Sequence, residues 1–301
     1  MRLVTRGDLD GLTCAVLIST CEPIDEILLV HPQDITDRTV TITSRDILAN
    51  LPYHPSCGKW FDHHLLTESN SAPPARFEGR YGLAPSAASM VWEYYRGHDR
   101  ALGEFDRFEK LLQETDRLDS AQLTLEDVVS PKGYILLGLT LDPRTGLGTF
   151  EEYFRLLLSA LKRHTLEDVL ELPEVVARVE RMREQDERFR EATMAHSHID
   201  ENVIVTDFRA LDSVPVGNRF IVYTLFPEAN ISLRVHWGPR REKVVLAVGH
   251  SVFRRTSRTN VGQLMSRFGG GGHRGAGTCV VSATQADGAI AEILAGMKRD
   301  G

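Results

Sequence analysis

The chemistry-bearing residues of this chain are densest in two stretches, Gly7-Asp8-Leu9-Asp10-Gly11 and Trp60-Phe61-Asp62-His63-His64. Each acidic group follows an apolar run with strand character, Met1–Thr5 in one case and Cys57–Phe61 in the other. In a parallel α/β sheet, ligands collect in the crevice outside the carboxyl ends of the strands. Two such ends bring Asp8, Asp10, Asp62, His63 and His64 into one crevice. Carboxylates ~4 Å apart repel by roughly 4 kcal/mol per pair at an effective dielectric of about 20. Such a cluster therefore shares protons or holds cations. A histidine beside oxygen ligands suits manganese, iron or zinc better than calcium or magnesium. The expectation is a metal site built for phosphate chemistry.

The elements around these stretches are those of an α/β protein. Leu12–Ser19 reads as a helix after the first strand, and Gly7 and Gly11 make a tight turn that holds Asp8 and Asp10 close to the backbone. Glu26–His31 and Thr39–Thr43 are further β-rich runs, with Asp46 following the second and a proline-bearing loop over Leu48–Pro55. Alternation of strands and helices argues for a parallel sheet. Thr67–Pro85 reads as a loop that folds over the site. Ser86–Tyr95, Phe105–Leu112 and Gly133–Leu141 read as helices, and Thr149 to about Ala195 is helical and highly charged, broken only at Pro173. From about residue 200 the runs Asn202–Thr206, Arg219–Phe226, Asn230–Trp237 and Lys243–Val248 predict strands. Val261–Phe268 predicts a helix entering Gly269–Gly272, followed by a strand at Thr278–Ser282 and a helix at Gln285–Lys298. The expected domains are 1–150, a helical linker 151–199, and a smaller α/β domain with a mixed sheet, 200–301.

Composition narrows the function classes. At 301 residues, two domains can each bury a core. A formal charge of −7 argues against a general duplex-DNA-binding protein, which carries a basic face. No apolar run reaches the ~18 residues of a membrane helix, and the N-terminus lacks the pattern of a signal peptide. Cys14, Cys21, Cys57 and Cys279 form no CxxC pair, so reduced thiols and a cytoplasmic location are expected.

GDLDG, FDHH and GGGGHRGAG, in this order and at these separations, resemble the DHH phosphoesterase superfamily. More narrowly they resemble its branch with a C-terminal DHHA1 domain, which includes nano-RNases and exopolyphosphatase-related proteins. The resemblance covers essentially the whole chain. It implies two divalent cations, usually manganese, with Asp8, Asp10, Asp46, His63 and Asp116 as ligands and Asp119 as the alternative to Asp116. It implies that Asp62 orients a histidine and that His64 faces the phosphate or the leaving group. One departure stands out: the family's first motif usually opens with a histidine ligand, and Thr5-Arg6-Gly7 occupy those places. Arg6 cannot ligate a cation, so either one metal position is weakened or Arg6 contacts phosphate.

Consecutive glycines let backbone N–H groups approach an anion. Gly270, Gly271, Gly272, His273 and Arg274 are therefore expected to bind substrate, and Arg254 and Arg258 lie in a nearby basic segment that resembles the family's substrate-holding segment. The first domain is expected to cleave through a metal-activated hydroxide, and the second to grip the remainder of the substrate. The substrate is a short oligonucleotide or small nucleotide, with polyphosphate as the alternative. A catalytically weak nucleotide-binding protein stays open because of Arg6. Homodimerisation is left open too.

Overall fold

The computed structural model describes residues 1–64, 75–97 and 103–301. Its first half runs β1 (Arg2–Thr5), α1 (Leu9–Cys21), β2 (Glu26–Leu29), α2 (Pro32–Thr36), β3 (Asp46–Ala49), β4 (Lys59–Asp62), β5 (Gly79–Tyr81), α3 (Ala87–Gly97) and α4 (Glu109–Asp119). It continues with α5 (Leu125–Val129), α6 (Gly133–Thr140), α7 (Phe150–Leu161), α8 (Leu166–Leu170) and α9 (Pro173–Ala195). The remainder is β6 (Ser197–Asp200), β7 (Val203–Asp207), α10 (Val222–Leu225), β8 (Ile231–Trp237), β9 (Lys243–His250), α11 (Val261–Ser266), β10 (Gly271–Gly272), β11 (Ala276–Ser282) and α12 (Ala286–Asp300).

These elements form two compact units. The first takes in the described residues up to Gln122 together with Pro131–Arg181, and the second takes in Leu123–Ser130 and Met182–Gly301. The division falls inside α9, whose Val175 and Val179 belong to the first core.

The first unit is built on a five-stranded sheet of order β2-β1-β3-β4-β5 with every pairing parallel. Its central strands are buried on both faces, which is why they read as apolar runs rather than as alternating ones. Leu3, Ile47, Ala49 and Phe61 point into the core formed with the helices that include α1, α3 and α7. Their neighbours Val4, Leu48 and Trp60 point to the opposite face, with Ile35 and Ile42. That is the two-residue period of a strand buried twice. The strand order reverses between β1 and β3, and an open α/β sheet binds its ligand at such a point.

The second unit carries a mixed six-stranded sheet of order β10-β11-β9-β8-β7-β6, in which only β7 and β8 pair in parallel. Val203, Leu233, Leu246 and Cys279 from four of its strands pack with Ile293 and Met297 of α12 and Met265 of α11.

Three local expectations are corrected. Thr39–Thr43 is irregular, not a strand: Val40 and Ile42 pack onto the sheet from a loop, and the strand is Asp46–Ala49. Of the expected strand Arg219–Phe226, Arg219–Ile221 is a 3-10 turn and Val222–Leu225 a short helix, with Asn218 capping the start through Oδ1, which accepts the Phe220 N–H at 3.1 Å. Ser197–Ile199, the end of the expected helical linker, belongs to the strand Ser197–Asp200 that pairs with β7. Residues 67–74 of the loop expected over Thr67–Pro85 lie outside the described residues. Gly79–Tyr81 within it is the edge strand β5. Among the described residues no helix is long and apolar enough to cross a membrane.

Candidate active site

Three carboxyl ends of the parallel sheet converge on the first unit's site. β1 delivers Arg6 and the Gly7–Asp10 turn, β3 delivers Asn50, and β4 delivers Asp62, His63 and His64. The turn has no room for side chains. A Cβ on Gly11 would stand 2.0 Å from the Arg6 carbonyl oxygen, and one on Gly7 would stand 2.3 Å from the Phe150 ring.

Asp10 sits at the start of α1 and is fully buried. Its Oδ2 and Oδ1 accept the N–H groups of Ala87 at 2.9 Å and Ala88 at 2.8 Å, so it also ties down the N-terminus of α3. Burial and the charge of Asp119 push Asp10 up to about 7, against the pull of His63. His63 is buried as well, and its Nδ1 lies 3.0 Å from the Ala84 carbonyl. A carbonyl only accepts, so Nδ1 carries the hydrogen and Nε2 of the neutral ring turns its lone pair inward. Burial lowers the His63 pKa, which favours that neutral form. Nε2 then faces Asp119 Oδ2 at 3.2 Å and Asp10 Oδ2 at 3.7 Å.

One ligand atom each from Asp10, His63 and Asp119 lie within 4.8 Å of one another. An imidazole lone pair and two carboxylates crowded together repel unless a proton or a cation lies among them. Two carboxylates and one imidazole nitrogen are a donor set that fits manganese, iron or zinc. The residues present therefore fit a divalent ion.

Asp62 holds the second histidine. Its Oδ1 accepts from His64 Nδ1 at 2.7 Å, and Tyr81 Oη donates to the His64 carbonyl at 2.9 Å. Burial works to lower the His64 pKa, but the charge and hydrogen bond of Asp62 outweigh it and hold the imidazolium above its usual range.

Two expected ligands stand elsewhere. Asp46 opens β3 and is paired in register with Arg2, at the amino ends of the strands. Arg2 grips it through Nε at 2.9 Å and Nη2 at 2.7 Å, and the Thr43 N–H donates to it at 2.7 Å. The residue at the carboxyl end of β3 is Asn50, buried and at φ 58°, a conformation that asparagine tolerates better than most residues. Asp116 is turned into α3, where Ser86 and Ser89 donate to it at 2.5 Å and 2.9 Å. Asp119, one turn on, is the α4 carboxylate that reaches His63. Burial raises Asp116 against those serine hydrogen bonds. The 2.7 Å hydrogen bond between Thr13 and Thr115 sets the position of α4 against α1.

Arg6 and Asp8 form a pair of their own. Arg6 Nε lies 3.2 Å from Asp8 Oδ2, while Asp8 Oδ1 accepts from the Gly11 N–H at 2.9 Å and from Asn50 Nδ2 at 3.0 Å. The charge of Asp8, then those of Asp119, Asp10 and Asp62, raise the Arg6 pKa against its burial.

In the second unit the glycine run is a hairpin rather than an open anion nest. The N–H groups of Gly269, Gly270 and His273 donate to the carbonyls of Ser266, Met265 and Ala276. Gly271 and Gly272 form β10 against β11. A Cβ on Gly270 would meet the Thr278 carbonyl at 2.2 Å, so the glycines serve close packing. Arg274 is exposed at the turn. Arg254 Nη1 is held by the Glu228 carbonyl at 2.7 Å, and Arg258 Nε by the Asp300 carbonyl at 3.3 Å.

By pattern alone Asn50 carries no signal and Asp119 stands behind Asp116. Asn50 was findable once the third strand is ended at Ala49 instead of before Asp46.

Among solved structures, a pGpG-specific phosphodiesterase from Vibrio cholerae, PggH, is 38% identical to this chain, with a TM-score of 0.72 over 100% of this chain and 99% of its own. RecJ from Thermus thermophilus, solved in complex with Mn2+, is 13% identical with a TM-score of 0.53, over 99% of this chain and 52% of RecJ. The DHH domain of a member of the s1p family of ribosomal proteins is 14% identical with a TM-score of 0.53, over 97% of this chain and 85% of that one. The last two share the fold alone. No family model and no curated protein sequence matches the chain. The chain belongs to the DHH phosphoesterase superfamily, in the two-unit arrangement with a DHHA1-type second unit, and it is a phosphoesterase.

Proposed function

We propose that this chain is a divalent-metal-dependent phosphodiesterase that cleaves a short linear oligonucleotide, a dinucleotide of the pGpG kind. The observation that carries the reading is the meeting of Asp10, His63 and Asp119 at the carboxyl ends of a parallel sheet. The 38% identity to a pGpG-specific phosphodiesterase supports the choice of a dinucleotide.

Asp10, His63 and Asp119 would hold the ion, with manganese the first choice. When bound, a divalent cation acidifies water and offsets charge developing on phosphate oxygens. Around it, Ala84 fixes the His63 tautomer and the N-terminus of α3 fixes the Asp10 carboxylate. Asp62 keeps a proton on His64, and His64 delivers it to the departing ribose oxygen, so that no free alkoxide forms. On the second unit, Arg254, Arg258 and Arg274 are cationic side chains able to pair with phosphate oxygens. A hydrolase of small nucleotides would work in the cytoplasm, where such substrates are made.

The test is direct. The purified protein with Mn2+ is given 5′-labelled pGpG, other dinucleotides, longer oligonucleotides and polyphosphate in parallel. Conversion of pGpG to mononucleotides, abolished by a chelator, is expected. Release of phosphate from polyphosphate with dinucleotides untouched overturns the reading.

A further inference from the structure

The Asp8 side of the crevice already has its cation. We infer that this site takes one divalent ion, at Asp10, His63 and Asp119, and that the Arg6 guanidinium beside Asp8 provides in permanent form the positive charge a second ion would bring to the phosphate. This rests on the metal-dependent reading above and goes beyond it in stoichiometry and in the role of Arg6.

Both oxygens of Asp8 are engaged. Oδ1 takes the Gly11 N–H and Asn50 Nδ2, and Oδ2 faces Arg6 Nε. An ion seated on Asp8 would have to displace a guanidinium that never loses its proton and would lie beside its charge. The neighbouring strand end offers no carboxylate to compensate, because β3 delivers the neutral Asn50. A carboxylate only accepts, so Asn50 presents its NH2 to Asp8. Its buried Oδ1 has no hydrogen-bond partner among the described residues. The strand end beside Asp8 therefore carries a neutral amide where a second ion would need another carboxylate.

Charge balance agrees. Asp8, Asp10 and Asp119 bring three negative charges, which one divalent ion and Arg6 cancel. A second divalent ion would leave the empty crevice strongly positive. Arg6 is also placed to act on substrate. It follows β1 directly, its side chain is 34% exposed, and its one ion pair among the described residues uses Nε. The terminal nitrogens remain to grip two phosphate oxygens, the bidentate contact for which arginine is shaped.

Isothermal titration of Mn2+ into the chelator-stripped full chain, with the metal content of gel-filtered protein measured in parallel, tests the stoichiometry. One equivalent, with the electron paramagnetic resonance signal of an isolated ion, is expected. The double substitution Arg6→His with Asn50→Asp should raise the content to two equivalents and introduce spin coupling between ions. Arg6→Gln should keep one ion yet weaken a non-hydrolysable phosphorothioate dinucleotide by roughly 10-fold or more, as loss of hydrogen bonds to a charged group does. Two equivalents in the unaltered protein overturn the inference while leaving metal dependence standing. No bound metal at all overturns metal dependence itself. Unchanged dinucleotide affinity in Arg6→Gln overturns the phosphate contact.

Discussion

Asp119 Oδ2 lies 3.2 Å from His63 Nε2, and the opposite nitrogen of that ring is held by the Ala84 carbonyl at 3.0 Å. The last residue of one helix and a histidine just beyond a strand end are thus set face to face, with Asp10 behind them. Asp116, three residues earlier on the same helix, looks into a pair of serines instead.

This predicts a sharp difference between two aspartates of one helix. Asp119→Asn should lower Mn2+ affinity by more than the ~10–100-fold that follows loss of a merely supporting partner. Asp116→Asn should change it by less than about tenfold. Titration calorimetry of both variants is the measurement, and equal losses would refute the assignment of Asp119 over Asp116.

A second prediction separates His64 from the ligands. His64→Gln removes a proton donor and should cut kcat by about 10²–10⁴-fold on a dinucleotide. The loss should shrink on an ester whose leaving group, such as p-nitrophenolate, needs no proton. Asp62→Asn should show the same pattern in weaker form. A loss independent of the leaving group would exclude the acid role.

Stability at low pH should track Asp46. Burial raises this carboxyl, but the Arg2 hydrogen bonds, the Thr43 N–H and the Arg2 charge outweigh it and hold its pKa below the usual range. A depressed folded pKa adds stability that is fully present above the unfolded carboxylate value and is lost as pH falls through the folded one. The melting temperature should therefore drop below about pH 4. Arg2→Met should flatten that acid dependence and cost roughly 1.5–3 kcal/mol near neutral pH. Mn2+ affinity should stay unchanged, because the pair sits at the far end of the sheet. A metal defect in Arg2→Met would argue against that placement.

The turn carrying the aspartates should tolerate no added methyl. Gly7→Ala drives a Cβ into the Phe150 ring and should cost roughly 1–3 kcal/mol by overpacking. Adding Phe150→Leu should restore part of it. Gly11→Ala meets the Arg6 carbonyl, which is backbone and cannot turn aside, so Phe150→Leu should not rescue it. Chemical denaturation of Gly7→Ala and Gly11→Ala, each with and without Phe150→Leu, distinguishes the two cases.

The apolar runs of β1 and β4, the glycines around Asp8 and Asp10, and the histidine pair after Asp62 were legible in the chain because each is a local pattern: a short buried run, a forced turn, a strand end. The parallel sheet and the gathering of acidic and histidine side chains at its carboxyl ends follow from them. Asp46 was misplaced because β-branched residues over Thr39–Thr43 look like a strand, and only pairing with β1 shows that the strand begins at Asp46 and ends beside Asn50. The glycine run was read as a set of free donors, because a sequence does not show which N–H groups a hairpin consumes.

The order of residue types thus determined the two-unit α/β organisation and the presence of an acidic, histidine-bearing cluster. Tertiary structure alone decided which α4 carboxylate faces His63, that Asn50 rather than Asp46 borders the crevice, and that Arg6 is already paired with Asp8. The reason is physical. Periodicity sets which face of an element is buried, but a ligand contact depends on the rotation and offset of one element against another. Those are set by packing between residues far apart in the chain.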